Sequence, residues 1–367
     1  MVESRIKQLF FELIQITLGN RDVFSWSPSE TEWGQLYLLA QKQSLGSWLL
    51  DGVNRYKNLN SNEKLCIEQK LLLEWIGQQQ VTIHANSLHN ERAKELYELY
   101  KKGGFRSCVL KGQGTALYYN NPSIRQCGDI DIWVDGDRDV ILDFARNNGW
   151  KIGHIDIKHS DIEIFKDVPV EVHFLPSWMY FPTTNNRLQK FFECAKEREF
   201  TNIDVEHGFV HTTIDFDLVY SMVHIYRHIF SEGIGLRQLV DYYYILQHSS
   251  EEQRKEAFDN LSRMRMSSFT GGVMKILCEC FGMKEEFLLC PINKRHGEFL
   301  LSEIMTAGNF GKFDNRTVRV DVNKRFTRGF TQLGRNFRFV SYYPTEVLWS
   351  PFWKLWHWAW RKRKGYL

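Results

Sequence analysis

The sequence predicts an α+β protein, in which a mixed or antiparallel sheet with its own helices lies between an N-terminal and a C-terminal helical region. Residues 1–102 place apolar side chains at three- and four-residue spacings, which is typical of amphipathic helices. Between residues 103 and 180 the spacing shortens to the two-residue alternation of strands. After residue 180 the helical spacing returns. A hydrophobic fraction of 43% with only 8 prolines favours a folded chain over a disordered one.

These changes of pattern divide the 367 residues into four predicted regions. They are an N-terminal helical region at 1–102, an α/β core at 103–180, a helical domain at 181–292, and a C-terminal arm at 293–367 with a tryptophan-rich basic tail. Ser29 and Glu32 have the spacing of a capping box, which predicts the start of a helix. Gly103 and Gly104 follow two lysines and predict the end of another. Residues 312–335 are basic and glycine-punctuated, which indicates an exposed arm or loop.

Charge and cysteine usage argue against several functional classes. The 47 basic and 44 acidic residues give a net charge of +3, so we expect no bulk nucleic-acid binding. Seven cysteines without a CxxC pair fit neither a disulfide framework nor a zinc knuckle, which favours the reducing cytoplasm. No apolar run reaches the roughly 18 residues of a membrane span. We therefore expect a cytoplasmic protein, with peripheral attachment to a membrane left open.

The α/β core is predicted as a short series of strands and helices. Lys166 and Asp167 separate the last two strands and predict a hairpin, while Pro169 predicts that the second of these begins at a sheet edge or a bulge. The predicted strands are 105–110, 129–134, 161–165 and 168–174, and the predicted helices are 112–119 and 138–148.

Two aspartates alternate with aliphatic residues in the second predicted strand. Because successive side chains of a strand point to opposite faces, Asp129 and Asp131 share one face while Ile130, Ile132 and Val134 pack behind it. Adjacent like charges disfavour ionisation of both unless a cation lies between them. The pair is therefore predicted to hold a hard divalent metal, Mg²⁺ or Mn²⁺.

The strand at 168–174 repeats this design, with Glu171 and His173 on one face. Three carboxylates on neighbouring strands can hold two metal ions about 3.5–4 Å apart, which is the arrangement of phosphoryl and nucleotidyl transfer. Asp161 and Glu163 on the partner strand are alternatives to Glu171 as the third carboxylate. His173 either hydrogen-bonds a metal-binding carboxylate or is a half-buried structural histidine.

A glycine-containing turn precedes this pair of strands. Lys111, Gly112, Gln113 and Gly114 end a strand and open a helix, where backbone N–H groups can cradle a phosphate. Lys111 and Arg125 would add positive charge at the same place.

These motifs in this order resemble the DNA polymerase β nucleotidyltransferase superfamily. More narrowly, the chain is similar to the bacterial family of uncharacterised nucleotidyltransferases in its LKG at residues 110–112, Pro122, Arg125, GDIDIWV at 128–134 and VEVHF at 170–174. The superfamily usually has Gly-Ser where this chain has Gly112-Gln113. The phosphate contact of that serine is therefore absent, or is supplied by Gln113, Lys111 or Thr115.

The resemblance implies a polymerase β-like core that moves a nucleoside monophosphate from an NTP to an acceptor hydroxyl and releases pyrophosphate. It implies that Asp129, Asp131 and Glu171 are catalytic and bind two metal ions with the NTP. The residues assigned to nucleotide binding are Lys111, Gly112, Gln113, Gly114, Arg125, Gly128, His173 and Arg237. Two alternatives remain: an inactive binding module that keeps the fold, and a membrane-associated accessory protein in surface-glycan assembly.

Two further pairs lie four residues apart on predicted helices. His224 and His228 have a zinc-like spacing, but Ile225 stands where a zinc protease has its glutamate, which favours a structural role. Arg237 and Asp241 are predicted to form an intrahelical ion pair, although Arg237 could instead reach a phosphate.

The C-terminal segment from Trp349 to Lys364 combines five tryptophans with a closing cluster of four basic residues. Such a segment suits a membrane interface carrying anionic lipid, or a groove on a partner protein. The alternative is a terminal segment that folds back on the helical domain.

Overall fold

The computed structural model describes residues 2–61, 65–314, 316 and 336–366. Its helices are α1 (Val2–Leu18), α2 (Glu30–Lys42), α3 (Gly46–Leu59), α4 (Gln69–Lys102), α5 (Gly112–Ala116), α6 (Arg138–Asn147), α7 (Pro182–Glu199), α8 (Ile214–Ser231), α9 (Leu236–Gln247), α10 (Glu251–Arg263), α11 (Ser267–Phe281), α12 (Lys294–Ala307) and α13 (Pro344–Lys364). Its strands are β1 (Ser107–Leu110), β2 (Ile130–Val134), β3 (Lys151–Ile155), β4 (His159–Glu163), β5 (Val170–His173), β6 (Ile203–Asp204) and β7 (Phe209–Val210).

The central sheet is mixed and has the strand order β1-β2-β5-β4-β3. β2 and β5 are parallel, and the other neighbours are antiparallel. Asp131 of β2 lies opposite Glu171 of β5, which in turn lies opposite Asp161 of β4. The predicted α+β class with a mixed sheet and flanking helices is confirmed, and the register brings the acidic residues of three strands to one region.

Two features of the sheet differ from the prediction. β3 was not predicted, because most of its side chains are exposed and only Ile155 is buried. Pro169 lies neither at a sheet edge nor at a bulge, since β5 runs between β2 and β4. Pro169 directly precedes β5, and its carbonyl accepts a hydrogen bond from the N–H of Ile130 at 3.0 Å. A proline outside the strand removes no donor from the ladder.

The helix ends agree with their capping signals. The hydroxyl of Ser29 accepts from the N–H of Glu32, and the Glu32 carboxylate accepts from the N–H of Ser29, so the predicted capping box is confirmed. α4 ends at Lys102, and Gly104 adopts the left-handed conformation with φ 82°. The helix that this glycine follows, α4, begins at Gln69.

The C-terminal region contains two helices that the periodicity did not predict, α12 and α13. Asn293 caps α12 by accepting a hydrogen bond from the N–H of His296. The predicted arm or loop at 312–335 lies mostly outside the described residues.

The two faces of the sheet pack against different hydrophobic cores. Ile130, Ile132 and Val134 of β2 join a core with α4 and α6. Trp133, on the opposite face, joins a larger core. Helices that precede the sheet in the sequence and helices that follow it both contribute to this core, and the ring of Trp133 stacks on Phe216 of α8. The acidic side chains share the face of Trp133, so they point toward the second helical region.

Candidate active site

Three carboxylates converge at the junction of β2 and β5. Asp129 directly precedes β2, Asp131 lies within β2, and Glu171 lies within β5. Each offers an oxygen atom, and these oxygens lie within 4.8 Å of one another. All three residues line a cavity of about 520 Å³. The structure thus brings together the three residues that the sequence analysis assigned to metal binding.

The charge of this cluster is unbalanced without a cation. The negative charge of Asp131, together with burial, raises the pKa of Asp129 to about 6. Asp131 is 2% exposed and has Nζ of Lys111 2.9 Å from its Oδ2. Burial would raise the pKa of Asp131, and the charge of Lys111 holds it below the usual range. A hard divalent cation matches this oxygen donor set and relieves the repulsion between the carboxylates.

His173 lies between two of these carboxylates and is almost fully buried. Its Nε2 lies 2.9 Å from Oδ1 of Asp131 and 3.5 Å from Oε2 of Glu171. Its Nδ1 lies 3.3 Å from the carbonyl oxygen of Leu175. Burial would lower the pKa of His173, but the hydrogen bond to Asp131 raises it. The imidazole is therefore fixed at both nitrogens and orients the carboxylate of Asp131.

The alternatives to Glu171 occupy other positions. Glu163 is exposed near the edge strand β3, where it pairs with Lys151 at 2.6 Å. Asp161 lines the large cavity beside Glu171 but is not part of the carboxylate triplet. His159 lies across the strand pair with Nδ1 3.1 Å from Oε2 of Glu171. Glu171 is thus the third carboxylate that the fold places against Asp129 and Asp131.

The turn between β1 and α5 has an unusual backbone. Lys111 adopts φ 43° and ψ −144°, outside the favoured regions for a residue with a side chain. This conformation directs the chain from the strand into α5 while Nζ stays near Asp131. Gly112 follows with φ 50° and lines a second, smaller cavity of about 50 Å³.

Gln113 and Gly114 are engaged with other elements, Gln113 with α4 and Gly114 with His211. The side-chain amide of Gln113 is buried and donates to Oδ1 of Asn90 at 2.6 Å, so it fastens α5 to α4. A Cβ atom at Gly114 would lie 3.0 Å from the Cβ of His211, which makes this glycine a packing position. Gly128 lines the small cavity, and a Cβ there would meet nothing within 4 Å.

The predicted intrahelical pair of Arg237 and Asp241 is wrong. Asp241 binds Arg125 through two hydrogen bonds of 2.7 and 2.9 Å, and it accepts a third from the hydroxyl of Tyr119 at 2.6 Å. Arg237 donates through Nη1 to the carbonyl oxygen of Gln126 at 2.6 Å. The bidentate geometry and the burial of Arg125 favour the long-range partner over the neighbour on the same helix.

Three polar side-chain atoms around the small cavity have no hydrogen-bond partner among the described residues. They are Nη1 of Arg125, Nε of Arg237 and Oγ1 of Thr115, and all three residues line this cavity together with Lys111 and Gly112. Buried polar groups are almost always hydrogen-bonded in proteins, so unpartnered donors beside a cavity indicate a missing polar ligand. Two of these donors belong to cations, which favours an anion such as a phosphate.

The cavity of about 520 Å³, here called the large cavity, is also lined by residues that the sequence analysis did not assign to a site. Three of them are aromatic, namely Trp178, Tyr180 and Trp353. Arg227 lines the cavity too, with its guanidinium carbon 3.6 Å from the ring centroid of Tyr180. These residues come from a loop, from α8 and from α13, and no local pattern links them in the sequence. Their convergence is a property of the tertiary fold.

His224 and His228 also line the large cavity, with ring centroids 4.2 Å apart. Burial lowers the pKa of both imidazoles, which favours their neutral forms. Within the described part of the chain, neither belongs to a group of three potential metal ligands.

The C-terminal helix α13 folds back on the α/β core and the loop before α7. The carboxylate of Glu346 accepts hydrogen bonds from the N–H groups of Tyr180 and Phe181 at 2.8 and 3.1 Å. Farther along, His357 lies 2.9 Å from Asp156, and Lys364 lies 3.2 Å from Asp139. α13 thus packs against the α/β core, and its Trp353 lines the large cavity.

Most of the chain, including the strands that carry the acidic residues, matches a known protein family. Residues 29–282 match a family model described as uncharacterised nucleotidyltransferase. The chain belongs to this nucleotidyltransferase family. The match covers the seven strands of the described residues and helices α2 to α11. A search of curated proteins found no match. Membership of this family implies an NTP substrate, and the clustered acidic residues could bind a divalent metal.

α13 lies outside the part of the chain that matches the nucleotidyltransferase family, although Trp353 lines the large cavity. Among the described helices, none has both the length and the apolar character needed to cross a bilayer.

Proposed function

We propose that this protein transfers a nucleoside monophosphate from an NTP to a hydroxyl group of an acceptor and releases pyrophosphate. The observation that carries the proposal is the convergence of Asp129, Asp131 and Glu171 within 4.8 Å beside a cavity. In the transfer, the acceptor oxygen forms a bond to the α-phosphorus while the bond from that phosphorus to the bridging oxygen of pyrophosphate breaks. The acceptor proton passes to a carboxylate.

In this proposal the three carboxylates have different roles. Asp129 and Asp131 would hold two Mg²⁺ or Mn²⁺ ions, and Glu171 would complete the site and take the acceptor proton. The bound ions would supply positive charge at the attacking oxygen and at the leaving pyrophosphate. His173 keeps Asp131 oriented through its 2.9 Å contact.

The small cavity would receive phosphate groups of the NTP. Its unpartnered donors on Arg125, Arg237 and Thr115 are those that a phosphate can satisfy. Lys111 lies next to Asp131 and can bridge the carboxylates and the phosphates. The Gln113 side chain is engaged with α4, so Thr115 is the residue we propose for the contact that serine makes in the superfamily.

The test is NTP consumption and pyrophosphate release by the purified protein with Mg²⁺ or Mn²⁺, across the four NTPs and a pooled cell extract. We expect release with the native protein and none with Asp129→Asn/Asp131→Asn. Glu163→Gln is the matched control, because its carboxylate is exposed and pairs with Lys151 outside the cavity. Asp161→Asn and Glu171→Gln compare the two candidates for the third carboxylate.

The result also separates an enzyme from an inactive binding module that keeps the fold. If the native protein neither releases pyrophosphate nor binds an NTP in a metal-dependent manner, the proposed transfer is wrong. Metal-dependent NTP binding without release in any extract would favour the binding module.

A further inference from the structure

The outer face of α13 is apolar, which is the reverse of what an amphipathic helix on a protein surface shows. Phe352 is 68% exposed, Leu355 is 67% exposed and Trp358 is 51% exposed. Leu348, Trp349 and Trp356 extend the same outward surface. Large exposed apolar patches mark sites of interaction with proteins or membranes.

The opposite face of α13 is firmly attached, so the exposure does not arise from a loosely placed helix. Glu346 is 2% exposed and accepts hydrogen bonds from two backbone N–H groups and from the hydroxyl of Thr184. Trp353 packs on Tyr180, with ring centroids 5.0 Å apart. The ring of Trp360 lies under the guanidinium of Arg138 at 4.8 Å. One face of the helix therefore packs against the rest of the protein, while the other exposes tryptophan, phenylalanine and leucine to solvent.

The charge of α13 favours an anionic surface as the occupant. The helix contains five basic residues and one acidic residue, and the acidic one, Glu346, is buried against the core. Lys362 and Arg363 are exposed at the C-terminal end, and Lys362 lies 5.4 Å from the ring centroid of the exposed Trp358. Exposed aromatic side chains beside lysine and arginine match the interface of a bilayer with anionic lipid headgroups.

A groove lies next to both this surface and the cavity that contains the three carboxylates. It has a volume of about 400 Å³ and lies between α13 and residues 178–186. Trp178, Tyr180 and Trp353 line this groove and also line the large cavity that contains the three carboxylates. The other walls of the groove include Trp349 and Phe352, which belong to the outward apolar surface. The same aromatic side chains therefore border both the polar cavity with the acidic cluster and the apolar groove beside the exposed helix.

We propose that the acceptor is an amphiphile at an anionic lipid surface, with its hydroxyl-bearing head in the large cavity and its apolar tail in the groove along α13. This inference rests on the proposed transfer to a hydroxyl group and names the class of acceptor. A water-soluble acceptor would use the polar cavity but would leave both the groove and the outward face of α13 without a role.

The first test measures binding to vesicles and does not depend on turnover. The full-length protein is floated with vesicles of phosphatidylglycerol and phosphatidylcholine, and with phosphatidylcholine alone. We expect binding to the anionic vesicles, weakened by added salt, and a loss of about tenfold or more for Phe352→Ser/Leu355→Ser. Leu38→Ser/Leu73→Ser is the matched control, since both leucines are exposed elsewhere on the surface. Equal binding of both double variants, or no binding by the native protein, would overturn the proposal.

The second test separates the acceptor class from the transfer chemistry. A cell extract is divided into an organic-solvent lipid fraction and an aqueous fraction, and each is supplied with NTP and Mg²⁺. The proposal expects pyrophosphate release with the lipid fraction, reduced in Phe352→Ser/Leu355→Ser when the lipid is in vesicles. Release with the aqueous fraction alone overturns the amphiphile and leaves the transfer intact. Release with neither fraction also counts against the amphiphile, and metal-dependent NTP binding in the same samples then decides whether the nucleotide site stands.

Discussion

The imidazole of His173 contacts two carboxylates of the acidic cluster and a backbone carbonyl at the same time. A residue held in this way cannot rotate without moving Asp131. Such partners of metal ligands fix the ligand orientation and are often as sensitive to substitution as the ligands themselves. At the residue scale we therefore expect the function of the site to depend on His173, a side chain that need not touch the nucleotide.

We predict that His173→Leu lowers Mn²⁺ affinity about 10- to 100-fold. His173→Gln should recover part of this loss, because it keeps an N–H donor near Asp131. The measurement is a Mn²⁺ titration followed by electron paramagnetic resonance, with thermal unfolding to confirm that each variant is folded. His207→Gln is the control, since His207 pairs with Asp204 on a separate hairpin. Equal affinities for His173→Leu and the native protein would exclude the positioning role.

Thr115 gives a second test at the same scale. Its hydroxyl has no hydrogen-bond partner among the described residues and lies at the small cavity, so Thr115→Val removes no internal hydrogen bond. We predict a weaker apparent NTP affinity, by about tenfold, with little change in stability. Thr270→Val is the matched control, because Thr270 is buried in α11 with a similarly unpartnered hydroxyl. If both variants bind NTP like the native protein, the phosphate contact lies elsewhere.

At the scale of elements, α4 holds the loop between α5 and β2 in place. Nδ2 of Asn86 donates to the carbonyl oxygens of Ser123 and Arg125, each at 2.7 Å. Nε2 of His89 lies 2.7 Å from the carbonyl oxygen of Gly128. One helix thus fixes the backbone on both sides of Arg125, and the guanidinium is then fixed by Asp241 of α9. The small cavity is formed by elements that are distant in sequence.

We predict that Asp241→Asn destabilises the fold by about 3–5 kcal/mol, because it leaves the buried guanidinium of Arg125 without its counter-charge. The free energy of unfolding in urea measures this. Glu163→Gln, which breaks the exposed pair with Lys151, should change that free energy by less than about 1 kcal/mol. A similar small change for both variants would show that the Arg125 pair is not the structural tie between α9 and the loop.

Local patterns predicted the elements that carry the chemistry. The alternation around Asp129 and Asp131 depends only on neighbours in the sequence, and the strand it predicts is β2. The predicted pairing of Arg237 with Asp241 is wrong because Asp241 binds Arg125, which lies 116 residues away in the sequence. A four-residue spacing carries no information about such a distant partner. The side of the molecule on which α13 packs depends on contacts such as that of Glu346 with Tyr180, and these have no local signature.

At the scale of the whole molecule, the stability of the fold should depend on pH through a buried acid. Asp217 is fully buried and accepts hydrogen bonds from Thr212 at 2.6 Å and Tyr118 at 3.1 Å. Burial raises its pKa from 3.8 to about 7. Between these two pKa values the folded protein retains a proton on Asp217 that the unfolded chain has released. The stability that this proton provides is fully present below the pKa of the unfolded chain, and it is lost as the pH rises through the pKa of the folded protein.

We predict that Asp217→Asn removes this dependence. Relative to the native protein, the variant should gain stability between about pH 4 and about pH 8, by up to roughly 4 kcal/mol. Urea unfolding across this range measures the difference, and comparison of the two proteins cancels the other titrating groups. A constant difference across the range would mean that Asp217 ionises in the folded protein as it does in the unfolded chain.

The backbone of Lys111 has an evolutionary consequence. A residue with a side chain at φ 43° and ψ −144° costs on the order of 1–3 kcal/mol, and glycine would adopt the same conformation with less strain. The same lysine is the counter-charge of the buried carboxylate of Asp131, with Nζ 2.9 Å from Oδ2, and breaking a buried ion pair costs about 3–5 kcal/mol. The loss of this pair outweighs the relief of backbone strain, so Lys111→Gly is expected to give a less stable and less active protein. In a lineage released from selection for nucleotidyl transfer, position 111 should therefore change to glycine only after the carboxylate of Asp131 has been lost, while its buried neighbour Leu110 stays apolar.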